Sequence, residues 1–304
     1  MFLKALAPYR EDRGVAVACI FPWYWLADLC AREDIPVVLG HALSMQAIHG
    51  GKAKNDTIDA QKIAVRLRGG LVPQADVSPA EMRATRDLLR RRGHLVRQRA
   101  ELLTHGQQTN RQDTLPEIGK AIAYKTNRPG VAARCADPAV PKSVEVDLAL
   151  IDYYDQLLRD LGLTIVQTAT QHDANTLYLL QTVPGIGKIL SRVLLYAIHD
   201  LARFPRVQDF VSYGRLVTCA KESAGKRDGP AGTQIGNAFL SWAFSAAAVL
   251  FLRNNPGGQK YLARLENTYG QGKALTIVAH KLARAIYYML QRRVAFALDA
   301  FLQG

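Results

Sequence analysis

The stretch VAVACIFPWYWLADLCAREDIPVVLG (15–40) holds a helical segment between two short apolar runs. The run VAVACIF (15–21) is typical of a buried strand, and IPVVLG (35–40) is typical of a second one that ends at a glycine. Between them, WYWLADLCARED (23–34) has the spacing of an amphipathic helix. Because two strands joined through a helix generally run side by side in the same direction, the stretch predicts an α/β domain with a parallel sheet.

Downstream, a basic loop that contains glycine (HGGKAKN, 49–55) leads into the helical segment DTIDAQKIAVRLRGG (56–70). Asp56 and Asp59 are three residues apart at its start, so both carboxylates can face the same way. Such a pair can hold Mg²⁺, which takes one or two carboxylates together with substrate phosphates. Acidic residues in a first turn also stabilise a helix through its dipole. The spacing alone leaves both explanations open and favours the second.

A long helix is predicted to start near Ser78, which can cap it, with Pro79 suited to the first helical position and Glu81 completing a capping box. Apolar pairs then recur every seven residues, and a matching stripe follows a Pro-rich polar linker at about 111–141. The pairs are Leu88/Leu89, Leu95/Val96 and Leu102/Leu103, and the stripe is Val144, Ile151, Leu158 and Ile165. These heptads predict two helices of a coiled coil, within or between chains, although helices packed on a core would show the same spacing.

The first of these helices is strongly basic. Residues 83–111 contain eight arginines, against Asp87 and Glu101. A solvated helix face usually mixes charges of both signs, so this excess favours contact with phosphate groups. Arg90, Arg91 and Arg92 lie at its centre and are the predicted nucleic-acid contacts.

The segment LLQTVPGIGKILSRVLLYAI (179–198) has the form of a helix-hairpin-helix element. Pro184 ends one helix, and Gly185 and Gly187 allow a tight turn before the next. Free N–H groups at the start of that second helix, together with Lys188, suit a phosphate. A turn between two core helices is the alternative, but the Pro-Gly-Ile-Gly spacing favours contact with nucleic acid that is independent of base sequence.

Farther on, CAKESAGKRDGPAGTQIGNAF (219–239) places Ser223 among Lys221, Lys226 and Arg227, with glycines close behind. An ordinary polar loop can contain such a serine too. Cations stabilise charge on a phosphate in transit, however, and glycine lets the backbone approach a ligand closely. The segment therefore suits a nucleophile that attacks a phosphodiester. It lacks the Gly-x-Ser-x-Gly elbow and an obvious histidine partner, which disfavours acyl-transfer hydrolysis.

The overall composition indicates a polyanionic partner. The 304 residues are 49% hydrophobic and 21% charged, which is ordinary for a globular protein, but the formal net charge is +13. Such an excess attracts nucleic acid. The N-terminus has no secretory signal, no apolar run is long enough for a bilayer, and four scattered cysteines predict buried thiols in a reducing compartment. We therefore expect a cytoplasmic protein with no membrane partner.

The chain resembles the transposases of the insertion-sequence 110 family, which include the pilin-gene inversion recombinases. Matching stretches run in order over almost the whole chain. Among them are AIHGGKAKNDTIDAQKIA (47–64), TVPGIGKILSRVLL (182–195), KESAGKRDG (221–229) and KALTIVAHKLARAIYYML (273–290).

The resemblance implies an α/β domain followed by all-α regions. It predicts a RuvC-like (RNase H-like) domain over 1–76, a coiled-coil region over 77–170, and a helical transposase domain with a serine nucleophile over 171–304. It also implies double-stranded DNA as the substrate, a structured guide RNA as a partner, and assembly into dimers or tetramers. The expected location is the bacterial cytoplasm, with the nucleoid when the protein is on DNA.

Residue by residue, the resemblance assigns Asp56 and Asp59 to the last two acids of an Asp-Glu-Asp-Asp set that binds Mg²⁺, which reverses the preference for a helix cap. Ser223 matches the nucleophile. Its hydroxyl would attack a DNA phosphodiester and leave a covalent phosphoserine link, with Mg²⁺ activating the hydroxyl or stabilising charge on the phosphate.

Two departures from the family pattern concern the metal set. The strand with the family's first Asp would precede Met1, and Ala18 stands where the family has Glu. Because the missing segment would also supply neighbouring strands, we expect a truncated, damaged N-terminal domain in which strand 15–21 exposes an apolar edge.

Our principal hypothesis is therefore a DNA transposase or site-specific recombinase that uses Ser223. The alternative is an inactive relic that retains binding of DNA or RNA. A simple Mg²⁺ nuclease of the RuvC type is disfavoured by the missing acids.

Overall fold

The computed structural model describes residues 2–9, 14–19, 23–41, 45, 55–112, 115, 122–134, 137, 139–217, 219–223, 226–231 and 235–303; within 219–231 it describes the backbone and, of the side chains, Lys226 alone. The chain folds into two compact units, Met1–Glu81 and Met82–Gly304. The division of the chain into three domains stays a prediction.

The first unit contains the predicted strand–helix–strand motif. After a short helix α1 (Phe2–Leu6), β1 (Val15–Ala18) pairs in parallel with β2 (Val37–Gly40), and α2 (Tyr24–Arg32) connects them. Val15, Leu26 and Cys30 form an apolar cluster against which α1 packs. The predicted parallel pairing is confirmed, and within the described part of the chain the sheet contains these two strands only.

The prediction of buried cysteines holds for Cys30 and is wrong for Cys19, which is exposed. The reason is local. Cys30 lies on the inner face of α2, whereas Cys19 follows the last residue of β1 at a bend, where its backbone N–H still donates to the Gly40 carbonyl but the residue is exposed.

Helix α3 (Asp56–Arg68) completes the first unit. Asn55 caps it by accepting a hydrogen bond from the Thr57 backbone N–H at 2.8 Å. The helix packs against β1, and its C-terminal Leu67 lies beside Gly14, the residue before that strand.

The second unit starts with two long helices, α4 (Ala80–Gln112) and α5 (Ala139–Ala169). They run antiparallel, because Arg99 contacts Asp155 (Nε to Oδ1, 2.6 Å) and His105 contacts Asp147 (Nδ1 to Oδ2, 2.5 Å). Both helices were predicted from the heptads, and the coiled coil itself stays a prediction.

The Pro-rich linker at about 111–141 stays a prediction, and the structure describes residues 122–134 within it. It contains two short 3₁₀ turns, at Lys125–Asn127 and Ala132–Arg134. Ile122 and Val131 are buried together with Val144 of α5 and lie against Leu103 of α4. A few well-spaced apolar side chains thus pack this part of a mostly polar segment onto its neighbours.

The rest of the second unit is a helical core with one β-hairpin. Its elements in chain order are α6 (Ala174–Gln181), α7 (Lys188–Ile198), α8 (Val207–Tyr213), β3 (Cys219–Ser223), β4 (Lys226–Ala231), α9 (Ala238–Leu252), α10 (Pro256–Tyr269), α11 (Gln271–Arg292) and α12 (Leu298–Gln303). Phe210, Phe244 and Leu282 are fully buried in this core, to which α7, α8, α9 and α11 contribute. The protein is thus mostly helical, with a small parallel sheet in the first unit. No helix among the described residues combines the length and apolarity needed to cross a membrane.

Candidate functional site

The two predicted metal ligands lie together in the first turn of α3. Asp56 is exposed and Asp59 is half-buried. Since Asn55 already caps this helix, neither carboxylate is needed for that purpose. Within the described part of the chain neither one forms an ion pair, so both can accept an external cation.

Ala18 is the last residue of β1 and is in register with Gly40 of β2. Helix α3 contacts β1, with Leu67 near the start of the strand, and from Leu67 back to Asp59 the helix rises about 12 Å. Strand β1 covers about 13 Å from Gly14 to Ala18. The contact of Leu67 with Gly14 thus places the C-terminal end of α3 beside the start of β1, and the helix from Asp59 to Leu67 and the strand have similar lengths.

Few side chains that can bind a metal ion lie close together in the part of the chain that the structure describes. No group of three or more His, Cys, Asp or Glu side chains that can hold a metal ion occurs among the described residues. Two carboxylates suit Mg²⁺ when substrate phosphates and water complete its shell, but they do not form an all-protein cage. Asp56 and Asp59 therefore suit a metal ion whose other ligands come from the substrate and from water.

Ser223 is the last residue of β3 and lies at the tip of the antiparallel hairpin β3–β4. Its register partner is Lys226, which is exposed, and Glu222 is in register with Arg227. The pairing shifts between Lys221 and Glu222, as in a β-bulge. Bulges bend a strand and redirect side chains near active sites. The side chains of Lys221, Ser223 and Arg227 lie outside the described residues.

The Pro-Gly-Ile-Gly turn lies between α6 and α7, as predicted, and its two glycines have different surroundings. Gly185 has φ +86°, and a Cβ there would lie 2.5 Å from the backbone N of Phe251. Gly185 is therefore required for packing against α9. Gly187 caps α7 at an exposed position with open space around it, and Lys188 beside it is exposed. The N-terminus of α7 is thus available to an anion.

The arginines of α4 do not form one uniform outer face. Arg90 and Arg91 are exposed, whereas Arg83 is 8% exposed and Arg99 pairs with Asp155. Arg92 is half-buried. Its Nε is buried and has no hydrogen-bond partner among the described residues, and desolvation lowers the pKa of its guanidinium. The prediction of a phosphate-binding face therefore applies to part of this helix only.

A groove that the sequence did not reveal lies between α4, α7 and α9, with a volume of about 330 Å³. We call it the arginine groove. Its lining consists of Arg86, Leu89, Arg90, Arg92, Gly93, Val96, Arg97, Ile189, Val193, Tyr196, Ala197, Asn237, Ala238, Phe239 and Trp242. The Arg90 guanidinium lies 5.2 Å from the centre of the Phe239 ring, and burial raises the pKa of the Tyr196 hydroxyl. The sequence signal that could have indicated this groove is the helical spacing of its lining residues in α4, from Arg86 to Arg97.

Two family models match the chain. The DEDD transposase model of IS110 elements matches residues 15–109, and the model for the transposase IS116/IS110/IS902 family matches residues 177–263. The first range contains Asp56 and Asp59, and the second contains Ser223 and the turn before α7. No curated protein matches the chain at a significant level.

Proposed function

The chain belongs to the IS116/IS110/IS902 family of transposases, and from that membership we propose a site-specific DNA recombinase whose nucleophile is Ser223. Membership itself establishes the class of enzyme, a DNA transposase. The serine, the metal, the guide RNA and the state of assembly are our proposals.

The position of Ser223 at a hairpin tip is the observation that carries the proposal. A strand end opposite an exposed lysine can enter the groove of a duplex without moving a helix. In the proposed step the Ser223 oxygen bonds to phosphorus while the bond from phosphorus to one deoxyribose oxygen breaks. The Ser223 hydroxyl gives up its proton to solvent, the leaving oxygen takes one up from solvent and departs as a hydroxyl, and the phosphoserine link keeps the phosphoryl group available for rejoining.

Asp56 and Asp59 are the residues that would hold Mg²⁺. When bound, the ion would stabilise charge on the phosphate that is attacked. The parallel pair β1–β2 with α3 packed against it supports a RuvC-like arrangement of this unit.

The alternative function, binding of DNA or RNA without cleavage, is favoured by one observation. Ala18 ends β1 in place of the family's Glu, and the described residues offer no larger acidic cluster. Fewer carboxylates weaken the binding of a strongly hydrated ion and loosen its position relative to the nucleophile.

Assembly with a second copy is supported by an apolar strip on α5. Val146, Leu150 and Tyr153 are exposed on this helix at spacings of four and three residues, which place them on one face. Such a strip suits a coiled-coil contact between chains. The charge of +13 supports both DNA and a structured RNA as further partners.

The test of the nucleophile is the formation of a covalent adduct. The protein is incubated with labelled element-end DNA, RNA transcribed from the element and Mg²⁺, and DNA attached to protein is detected on a denaturing gel. Ser223→Ala should abolish the adduct, and Ser212→Ala, at an exposed serine of α8 in the same unit, should not. An adduct that survives Ser223→Ala contradicts the choice of nucleophile.

The same assay separates the two functions. If the sparse acidic set limits chemistry, the natural chain should form little adduct, and Ala18→Glu should increase it. A strong adduct from the natural chain, unaffected by Ala18→Glu, rejects the non-cleaving alternative.

A further inference from the structure

The arginine groove combines an apolar floor with a cationic rim. Leu89, Ile189 and Val193 contribute apolar surface, and four arginines contribute the charge, Arg86, Arg90, Arg92 and Arg97. No carboxylate belongs to the lining among the residues that the structure describes. A ligand that fits must therefore have an apolar, flat or compact part and a negative charge next to it.

An exposed indole beside a ring that is covered by arginine makes the groove suitable for a planar group. Trp242 is 53% exposed although it is a large apolar side chain, and Phe239 lies beneath the Arg90 guanidinium at 5.2 Å. Exposed tryptophan next to arginine is a common surface for stacking nucleic-acid bases.

Gly93 gives the groove its width. It lies in the middle of α4, where glycine is less favourable than alanine because it loses more backbone freedom on folding. A Cβ at Gly93 would meet no atom within 4 Å, so packing within the described protein does not require the glycine. The missing side chain leaves open space in the lining instead.

Arg92 indicates where a ligand would complete the site. Its Nε is buried without a partner among the described residues, although a buried guanidinium donor normally finds an acceptor. A phosphate oxygen at the rim would supply that acceptor and would offset the desolvation that lowers the pKa of Arg92.

We propose that the arginine groove binds an unstacked base of a single-stranded nucleic acid, with the adjoining phosphates on Arg90, Arg92 and Arg97. The proposal rests on the proposed function only in taking nucleic acid as the partner. Ile189 belongs both to the groove and to the first turn of α7, so the strand can continue from the groove to the exposed α7 N-terminus.

A short oligomer tests this directly in the full chain. The protein has three tryptophans, so Trp23→Phe with Trp25→Phe leaves Trp242 as the reporter. Oligothymidylate and oligouridylate of about six nucleotides are compared with an abasic sugar–phosphate oligomer of equal length. Binding is measured by anisotropy of the labelled oligomer, and stacking by quenching of Trp242 emission. We expect the base-bearing oligomers to quench and to bind at least about five-fold more tightly than the abasic one.

A steric block provides the second arm. Gly93→Leu should fill the groove, remove the quenching and lower the affinity to that of the abasic oligomer, while the helix gains stability. Gly272→Leu is the matched control, since Gly272 is a helix glycine outside the lining at which a Cβ would likewise meet no atom within 4 Å.

Each outcome of these experiments either supports or overturns the proposal. A preference for either base-bearing oligomer supports the proposal and identifies DNA or RNA as the source of the base. Equal binding and quenching by the abasic oligomer overturn it, as does unchanged binding by Gly93→Leu. A change in Trp242 emission with protein concentration alone also overturns it, in favour of a second copy in the groove. None of these readouts requires cleavage, so the proposal can fail while the Ser223 adduct forms.

Discussion

Two arginine clusters on or beside α4 differ in how their charge is balanced. In the first, Arg99 and Arg128 share Asp155, and Arg128 also contacts Asp152, with 6% of the Arg128 side chain exposed. In the second, the four arginines of the arginine groove have no carboxylate in the described lining. The first cluster joins the segment at 122–134 to the long helices, and the second lines a groove in which we propose that an anionic ligand binds. Arginine content alone therefore does not identify a nucleic-acid surface.

The first cluster is tested most directly by measuring how much it contributes to the free energy of unfolding. Arg128→Ala should lower the free energy of unfolding by about 2 kcal/mol, because the Ile122 carbonyl loses its donor and Asp152, Asp155 and the Ala123 carbonyl each lose one of their cationic partners. Arg97→Ala, at an exposed position of the second cluster, should change it by less than about 0.5 kcal/mol. Urea unfolding followed by circular dichroism measures both. Equal losses of unfolding free energy in the two variants would mean that the two clusters do not differ in their contribution to stability.

Arg90 and Arg92 of the second cluster, together with the exposed Arg91 between them, should dominate the dependence of binding on salt. Replacing Arg90, Arg91 and Arg92 together with alanine should weaken binding to duplex DNA or structured RNA and flatten the slope of log affinity against log salt by about 1 per lost contact. Arg99→Gln should leave that slope unchanged, because Arg99 is occupied by Asp155. Filter binding at several salt concentrations measures the slopes. An unchanged slope in the triple variant would mean that these side chains do not contact phosphate.

The smallest expected effect is the response of the first cluster to acid. Burial alone would raise the pKa of the Asp155 carboxyl, but hydrogen bonds from Arg99 and Arg128 outweigh it and lower that pKa below its ordinary value. A depressed folded-state pKa stabilises the protein above the unfolded value of about 3.9 and loses this contribution as pH falls through the folded value. Asp155→Asn should therefore lose less thermal stability than the natural chain as the pH falls from about 5 to about 2. Thermal unfolding at several pH values measures the difference, and a parallel decline in both proteins would contradict the role given to Asp155.

Elements built from neighbouring residues were predictable from the sequence. The apolar runs around α2 predicted the parallel pair, and the acidic turn at Asp56 and Asp59 predicted the start of α3. Contacts between distant residues were not predictable. Arg128 meets Asp152 and Asp155 only because the chain between α4 and α5 folds back, and its composition gave no sign of that.

The candidate site shows the same limit. The position of Ser223 in a basic, glycine-containing segment was visible, but its place at the tip of a hairpin was not. The arginine groove required three helices from two distant parts of the chain to meet. The two glycines before α7 looked equivalent in sequence, and only the close approach of Phe251 separates Gly185 from Gly187.

Helix α9 sets the distance between two of these features, the arginine groove and the turn before α7. Its first turns carry Phe239 and Trp242 into the arginine groove, and its last turn holds Gly185 against Phe251. The helix rises about 14 Å from Trp242 to Phe251, close to the length of four nucleotides along one strand of a duplex. One residue inserted between them would rotate the indole by about 100° relative to the turn. In the proposed binding mode, the distance between the two contacts on a strand is therefore set by the number of residues in α9, and an insertion of one residue would change both that distance and the direction in which the indole points.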